Sequence, residues 1–217
     1  MFDFLSYNSM DSYIPQQKQV PSCHVRILQI SPRTKKADIY SNGQLIAKGL
    51  GFKKFTPYFT LPAGKHNIKA LMNINKPALA DDTFIIKEGL IYTLALIGGR
   101  EDIQFILFED ILVKEHENTS NIRLANLSSD SSVLNLSINK GDTLIEDVQY
   151  KTSSDYTAIS PGKYVLRLEI PERYHVTIPD MEFKDGWNYT IYALGTINSK
   201  LNLQAFSILD GNTYLHS

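Results

Sequence analysis

Five histidines, several pairs of adjacent acids and a single cysteine are the residues of this chain best equipped for chemistry. The histidines, His24, His66, His116, His175 and His216, are scattered. His116-Glu117 lacks the second histidine one helical turn later that a zinc-hydrolase helix requires. No G-x-S-x-G stretch offers a nucleophilic serine. Gly64-Lys65 opens an alternating segment, whereas a phosphate-binding loop needs GxxxxGK[ST] leading into a helix. The acid pairs include Asp81-Asp82, Glu101-Asp102 and Glu109-Asp110. Successive strand side chains point to opposite faces, so neither a metal nor a proton can be shared within such a pair. They read as solvated turn and edge residues, with Asp81-Asp82 the best placed for a calcium contact. No catalytic residue, cofactor or metal centre is expected.

Cys23 has no cysteine partner and no Cys/His ligand spacing, which excludes an internal disulfide framework and a zinc site. It precedes the first strand-like run. Two readings remain open: a disulfide between subunits, or a reduced, half-buried thiol.

Aromatic residues make up 11% of the chain, and Tyr156, Tyr164, Tyr174, Trp187, Tyr189 and Tyr192 concentrate in its second half. Tyr174 and Trp187 are candidates for stacking on sugar rings, because an aromatic face combines apolar area with a polar edge. Alternation from Trp187 to Tyr192 equally suits a strand lining a core. The first 22 residues interleave Phe2, Phe4, Leu5, Tyr7, Tyr13 and Ile14 with Ser, Asn and Gln and break at Pro15 and Pro21. Such an arm can dock on a neighbouring subunit by adding a strand to a sheet edge, lie on its own module, or remain a free tail.

Composition narrows the partners. Apolar residues are 43% and charged residues 21% of the 217, and 22 basic against 23 acidic side chains leave a net charge of −1. That balance speaks against nucleic acid, which is bound by clustered, unpaired Lys and Arg. No run reaches the 18 or so apolar residues of a membrane helix, so no membrane insertion is expected. The N-terminus has no basic region, continuous apolar core or small-residue cleavage site. The expectation is therefore synthesis in the cytoplasm, with any later surface location reached through a removed leader or another route. Asn118, Asn126, Asn135 and Asn188 match the glycosylation triplet, which means little in that setting.

Any site must be positioned by the elements, and these repeat. "HVRILQISP" from His24 matches "NIRLANLSS" from Asn121, "YFTLPAGKHNI" from Tyr58 matches "YTAISPGKYVL" from Tyr156, and "GLIYTLALIGG" from Gly89 matches "GWNYTIYALGT" from Gly186. The offset is 97 at the ends and 98 in the middle. The chain thus reads as an arm (1–22) followed by two copies of one module, 23–113 and 119–217. Within a copy the period is two. Val25, Ile27 and Gln29 share one face of the first run and Arg26, Leu28 and Ile30 the other, so both faces are at least partly covered. Asn42-Gly43 supplies the positive φ angles of a hairpin, and Lys140-Gly141 holds the equivalent place. The Pro-Gly stretches after Tyr58 and Tyr156 read as turns joining two antiparallel strands. About seven short strands per copy, with turn signals between them, suit an immunoglobulin-like antiparallel β-sandwich.

Arg26, Ser31-Pro32, Ala37 to Tyr40, Asn42-Gly43, Tyr58, Leu61 to Lys65, Ile68, Gly89, Tyr92-Thr93 and Gly98 together resemble the bacterial repeat family DUF4397, and the second copy resembles it more weakly. The resemblance implies tandem β-sandwiches on a cell surface or secreted, with no established activity. Where the family carries a histidine two residues before Ser-Pro, this chain has Gln29 and Asn126. Arg33-Thr34-Lys35 replaces the family's Asp-Ala-Pro, and Ser129 stands where the second proline belongs. The expected function is a non-enzymatic structural or adhesive protein of a bacterial envelope or spore coat, acting through protein partners or self-assembly. A carbohydrate-binding module, taking polysaccharide through Tyr174 and Trp187, is the alternative.

Overall fold

The computed structural model describes residues 20–32, 34–73, 75–99, 102–111, 113, 117–129, 131–195, 202–213 and 215. Seventeen strands and one short 3-10 turn make up its regular structure. The first repeat holds β1 (Ser22–Gln29), β2 (Lys36–Ser41), β3 (Gln44–Gly51), β4 (Lys54–Phe55), β5 (Phe59–Pro62), β6 (Gly64–Leu71), β7 (Ala80–Ile86), β8 (Ile91–Ile97) and β9 (Gln104–Glu109). The second holds β10 (Ser120–Leu127), β11 (Val133–Ile138), β12 (Thr143–Gln149), β13 (Thr157–Ile159), β14 (Gly162–Ile170), β15 (Tyr174–Phe183), β16 (Asn188–Leu194) and β17 (Gln204–Leu209).

Each repeat is a sandwich of two sheets. In the first, β3-β2-β6-β7 faces a sheet in which β1 lies between β8-β9 on one side and both β4 and β5 on the other. In the second, β12-β11-β14-β15 faces β13-β10-β16-β17. Pairing is antiparallel except for β1 with β8 and β10 with β16, which run parallel, a departure from the all-antiparallel expectation. The physical reason is the long excursion through the other sheet between these strands, which lets the chain return in the same direction.

Two apolar clusters fill the sandwiches, one built around Val25, Ile27, Ile39, Ile68 and Leu94, the other around Leu124, Leu136, Leu168, Phe183 and Ile191. A third cluster lies between the repeats. Leu28, Ile30, Ala95, Ile97 and Phe108 of the first pack against Ala125, Leu127, Tyr192 and Ile208 of the second. The inner sheets therefore bury both faces, and every residue of β8, β10 and β16 is buried. The result is four stacked sheets with three apolar layers between them. The outer sheets keep one wet face: in β6, His66, Ile68 and Ala70 are buried while Lys65 and Lys69 are exposed.

The β2–β3 turn has Asn42 and Gly43 at φ 48° and 83°, and Lys140 takes φ 61° in the equivalent turn. The Pro-Gly stretches do something other than join paired strands. β5 pairs with β1 and β6 with β2 and β7, so Pro62-Ala63-Gly64 carries the chain from one sheet to the other. Gly64, at φ 137°, supplies the backbone angle of that corner, which side-chain-bearing residues rarely adopt. Periodicity identified both flanking runs as strands but carries no information on which sheet each joins.

The nine strands of the first repeat exceed the expected seven partly because one edge is broken. β4 and β5 both pair with β1, separated by Thr56-Pro57-Tyr58. At the break the Thr56 hydroxyl accepts the Ile27 amide at 2.9 Å. The second repeat repeats the device, with the Ser154 hydroxyl accepting from the Leu124 amide at 3.1 Å. Each interruption frees the next residue but one, Tyr58 or Tyr156, to leave the sheet edge.

Candidate functional site

Those two tyrosines lead to a buried cluster of charge, which among the described residues holds Arg26, Asp110, Arg123 and Asp210. Arg26, in β1, lies under the Tyr58 ring with its guanidinium carbon 4.9 Å from the ring centroid. Its Nε donates to Thr93 Oγ1 at 2.8 Å, Nη1 to the Leu209 carbonyl at 2.5 Å and Nη2 to Asp210 Oδ1 at 2.6 Å. Arg123, in β10, does the same in reverse. It lies 4.8 Å from the centroid of Tyr156, and its three nitrogens donate to Thr190 Oγ1 (2.7 Å), the Glu109 carbonyl (2.6 Å) and Asp110 Oδ1 (2.5 Å).

Thus each repeat sends its arginine to the strand end of the other. The carboxylates are closed by tyrosine: Tyr58 donates to Asp110 Oδ2, and Tyr156 to Asp210 Oδ2 at 2.7 Å. Thr190 adds a 2.6 Å hydrogen bond to Asp210. Just beyond β17, the Gly211 amide donates to the Tyr58 hydroxyl at 3.0 Å, and Asn212 Nδ2 to the Ile111 carbonyl at 2.6 Å.

The side chains of Asp110 and Asp210 are 0% exposed and those of Arg26 and Arg123 are 2% and 3% exposed. Two positive and two negative charges cancel within the cluster, which is how buried ions are tolerated. Burial works against the charge on both guanidiniums, yet the surrounding tyrosine and carboxylate oxygens outweigh it and hold them above their ordinary range. Burial, then the Asp110 or Asp210 charge beside it, pushes each tyrosine well above its ordinary value. Burial and the Asp110 charge raise the Asp210 carboxyl against the pull of Arg123 and Arg26. Chemically the arrangement binds protein to protein: every polar side-chain atom of both arginines and both aspartates has a protein partner.

The reading of Glu109-Asp110 as solvated is overturned in part. Asp110 is buried because β9 ends where Arg123 arrives, and the Glu109 carbonyl accepts from the same guanidinium. Asp81 does lie at the surface, bonded to Lys69 at 2.9 Å and to Asn67 at 2.7 Å, while Asp82 accepts the Phe105 amide at 2.9 Å. Among the described residues no group of three or more His, Cys, Asp or Glu could hold a metal ion. Asp210 carried no sequence signal, since no second acid stands beside it. Its one available clue was its place at the end of the last strand, where Asp110 stands in the first repeat.

Gln29 and Asn126 keep a hydrogen-bonding task at the family's histidine position. Gln29 Nε2 donates to the Thr34 carbonyl at 2.5 Å, and Asn126 Nδ2 to those of Val148 (3.0 Å) and Ser131 (3.3 Å), tying down the loop after the first strand. Asn126 is wholly buried.

Cys23 lies inside β1, 1% exposed, with Sγ 3.5 Å from the Leu61 carbonyl. A disulfide to another chain would require β1 and β5 to part. Tyr174 and Trp187 are both half-buried and pack on the second core. They do not converge: Tyr174 pairs with Ile170 at one end of β15, and Trp187 follows its other end, beside Tyr189 and under Lys184. A ten-residue strand separates them by about 30 Å. Tyr174 borders a cavity of about 230 Å³ with Arg167, Glu169, Glu172, Arg173 and His175. Phe2, Phe4, Leu5, Tyr7, Tyr13 and Ile14 lie outside the described residues.

The model of a domain of unknown function, DUF4397, matches residues 23–137 and 120–213. No curated protein matches the chain. Among solved structures, the chain is similar to the Bacillus anthracis TIE protein at 15% identity and TM-score 0.24, over 81% of this chain and 34% of that one. It spans about a third of that protein's length. A carbohydrate-binding module from Eubacterium rectale in complex with maltoheptaose is 11% identical at TM-score 0.27, over 87% and 95% of the two chains. The tip fimbrial protein Mfa3 from Porphyromonas gingivalis is 7% identical at TM-score 0.26, over 88% and 99%. Similarities of this size leave function to the residues themselves.

Proposed function

The chain belongs to the DUF4397 family, and from that premise we propose that it is a non-enzymatic structural or adhesive protein of a bacterial cell envelope or spore coat, working through protein–protein assembly. The modules at 23–113 and 119–217 act as one body. The observation that supports this most is the reciprocal Arg26–Asp210 and Arg123–Asp110 pairing, which commits the buried charge of the molecule to holding two sandwiches together. A four-sheet block fixed in that way suits a load-bearing or display unit, with wet outer faces available to partners. The test is the solution mass of the full chain across concentration, by light scattering, together with its time of synthesis. Concentration-dependent multimers support the reading; a monomer at every concentration overturns assembly.

A second reading, polysaccharide binding, is favoured by the cavity beside Tyr174, where an aromatic ring stands among charged hydrogen-bonding groups. Retention of the chain on bacterial polysaccharide, lost in Tyr174→Ala, supports it, and no retention removes it.

A further inference from the structure

The two repeats leave a slot between them on one side of the block. Its floor is Arg26 and Tyr58, one wall is Phe55, Thr56 and Pro57 at the broken edge of the first inner sheet, and the other is Ser207 to Leu209 of β17. The slot is open to solvent and holds about 350 Å³. Phe55 presents half of its surface there.

Among the described residues the β17 wall is an unpaired sheet edge. There β17 pairs with β16 and no other strand, and the Asp210 amide that follows it also points to β16, donating to Asn188. Antiparallel strands alternate the direction of their backbone groups. The Leu209 carbonyl therefore faces the slot, and Arg26 Nη1 takes it from below. By the same period, the amides and carbonyls of Ala205 and Ser207 face the slot too. An edge of this kind is a template for one more strand.

The chain carries a segment suited to that edge. Residues 1–14 contain no proline, and Phe2, Phe4, Leu5, Tyr7, Tyr13 and Ile14 are apolar. Up to Gln17 the segment has two acids, Asp3 and Asp11, and no Lys, Arg or His. Lys53 and Lys54 immediately precede Phe55 of the slot wall, and Lys53 Nζ reaches across to Gln204 Oε1. The described chain begins at Val20, which is exposed. Fourteen residues in extended form span about 46 Å, more than twice the roughly 20 Å length of a six-residue strand such as β17.

We propose that this slot receives residues 1–14 of a second copy of the chain, which add a strand along the free edge of β17 and set apolar side chains against Phe55 and Ile208. The inference rests on the assembly reading above and names its interface. It predicts head-to-tail growth, because the donated segment and the accepting slot are different surfaces.

The experiment uses full-length protein with Cys23→Ala. One preparation carries Ser207→Cys; others carry Ser6→Cys, Asn8→Cys or Ser12→Cys. Mixing and oxidation are expected to give covalent dimers in which mass spectrometry finds position 207 joined to the partner's arm. Ser207→Pro removes one outward amide while leaving the β16 ladder intact, and Lys53→Glu/Lys54→Glu reverses the charge, giving up the Lys53–Gln204 side-chain contact while leaving the β17 backbone unchanged. Each is expected to weaken self-association more than tenfold. If the parent assembles while both variants assemble equally well and no 207–arm link forms, the slot is wrong and the assembly reading survives. Links found only within one chain, in protein carrying both cysteines, also overturn it. A parent that never assembles removes both.

Discussion

Arg26 and Asp210 are 184 residues apart in sequence and 2.6 Å apart in space, each almost fully buried. Their pairing, with its counterpart Arg123–Asp110, ties the two sandwiches together through buried charge. Replacing Arg26 by Met keeps the bulk and leaves Asp210 without one of its two nearest positive charges. The expected loss is about 3–5 kcal/mol, seen as a lower urea midpoint. Arg26→Met/Asp210→Asn should recover part of it. A double variant as unstable as the sum of its parts would mean the pair is not coupled.

Tyr58 and Tyr156 make the block sensitive to alkali. Burial and a neighbouring carboxylate raise both above the ordinary tyrosine value of 10.0. A group whose folded value is raised contributes its full stability below the unfolded value and loses it as pH climbs past. Stability should therefore be flat to about pH 10 and then fall by roughly 1.4 kcal/mol per pH unit for each tyrosine. Urea midpoints at pH 8 and 11, with tyrosinate absorbance, check this. A Tyr58→Phe/Tyr156→Phe variant with the parent's alkaline slope would sink it.

Gly211 is packed so closely that a Cβ would stand 2.8 Å from both the Tyr58 ring and Ile91. Gly211→Ala should push Tyr58 off Asp110 and lower stability by about 1–3 kcal/mol. Thermal unfolding measures it. No loss would mean that Tyr58 is not held where the structure places it.

The Tyr192 hydroxyl is buried, with no hydrogen-bond partner among the described residues. Burying such a group without a partner costs stability, so Tyr192→Phe should be neutral or raise the melting temperature slightly. A loss beyond about 1 kcal/mol would reveal a partner for it.

Burial pushes the Cys23 thiol above its ordinary value, against smaller backbone effects. In the native protein it should react with a thiol reagent at pH 8 at least tenfold more slowly than in denaturant. Equal rates, or a disulfide dimer on a non-reducing gel of fresh protein, would show that β1 opens.

Much of the architecture could be read without coordinates. The steady offset between Arg26 and Arg123 disclosed two copies, and alternation in "HVRILQI" showed that both faces of the first strand are covered. Period two reports that a face is covered, however, and not by what. Leu28 and Ile30 turn out to face the other repeat. The sheet membership of β5 and β6 escaped for a similar reason, since strand pairing is decided over long sequence distances. Asp110 reads as solvated because an acid stands beside it, and Asp210 gives no signal because its partner arginine is most of a chain away.

The exchange of arginines has the form of a two-fold symmetric dimer joined end to end. In such a dimer each subunit would supply one arginine and one aspartate, as each repeat does here. The equivalence fails at several positions of the layer between the repeats: the first repeat has Leu28, Ala95 and Phe108 where the second has Ala125, Tyr192 and Ile208, and Tyr192 packs against Phe108 with ring centroids 6.2 Å apart. Two copies of the second repeat would bring two tyrosines to a contact that holds one tyrosine and one alanine. Each half has therefore become the fitted mate of the other and has ceased to be its own.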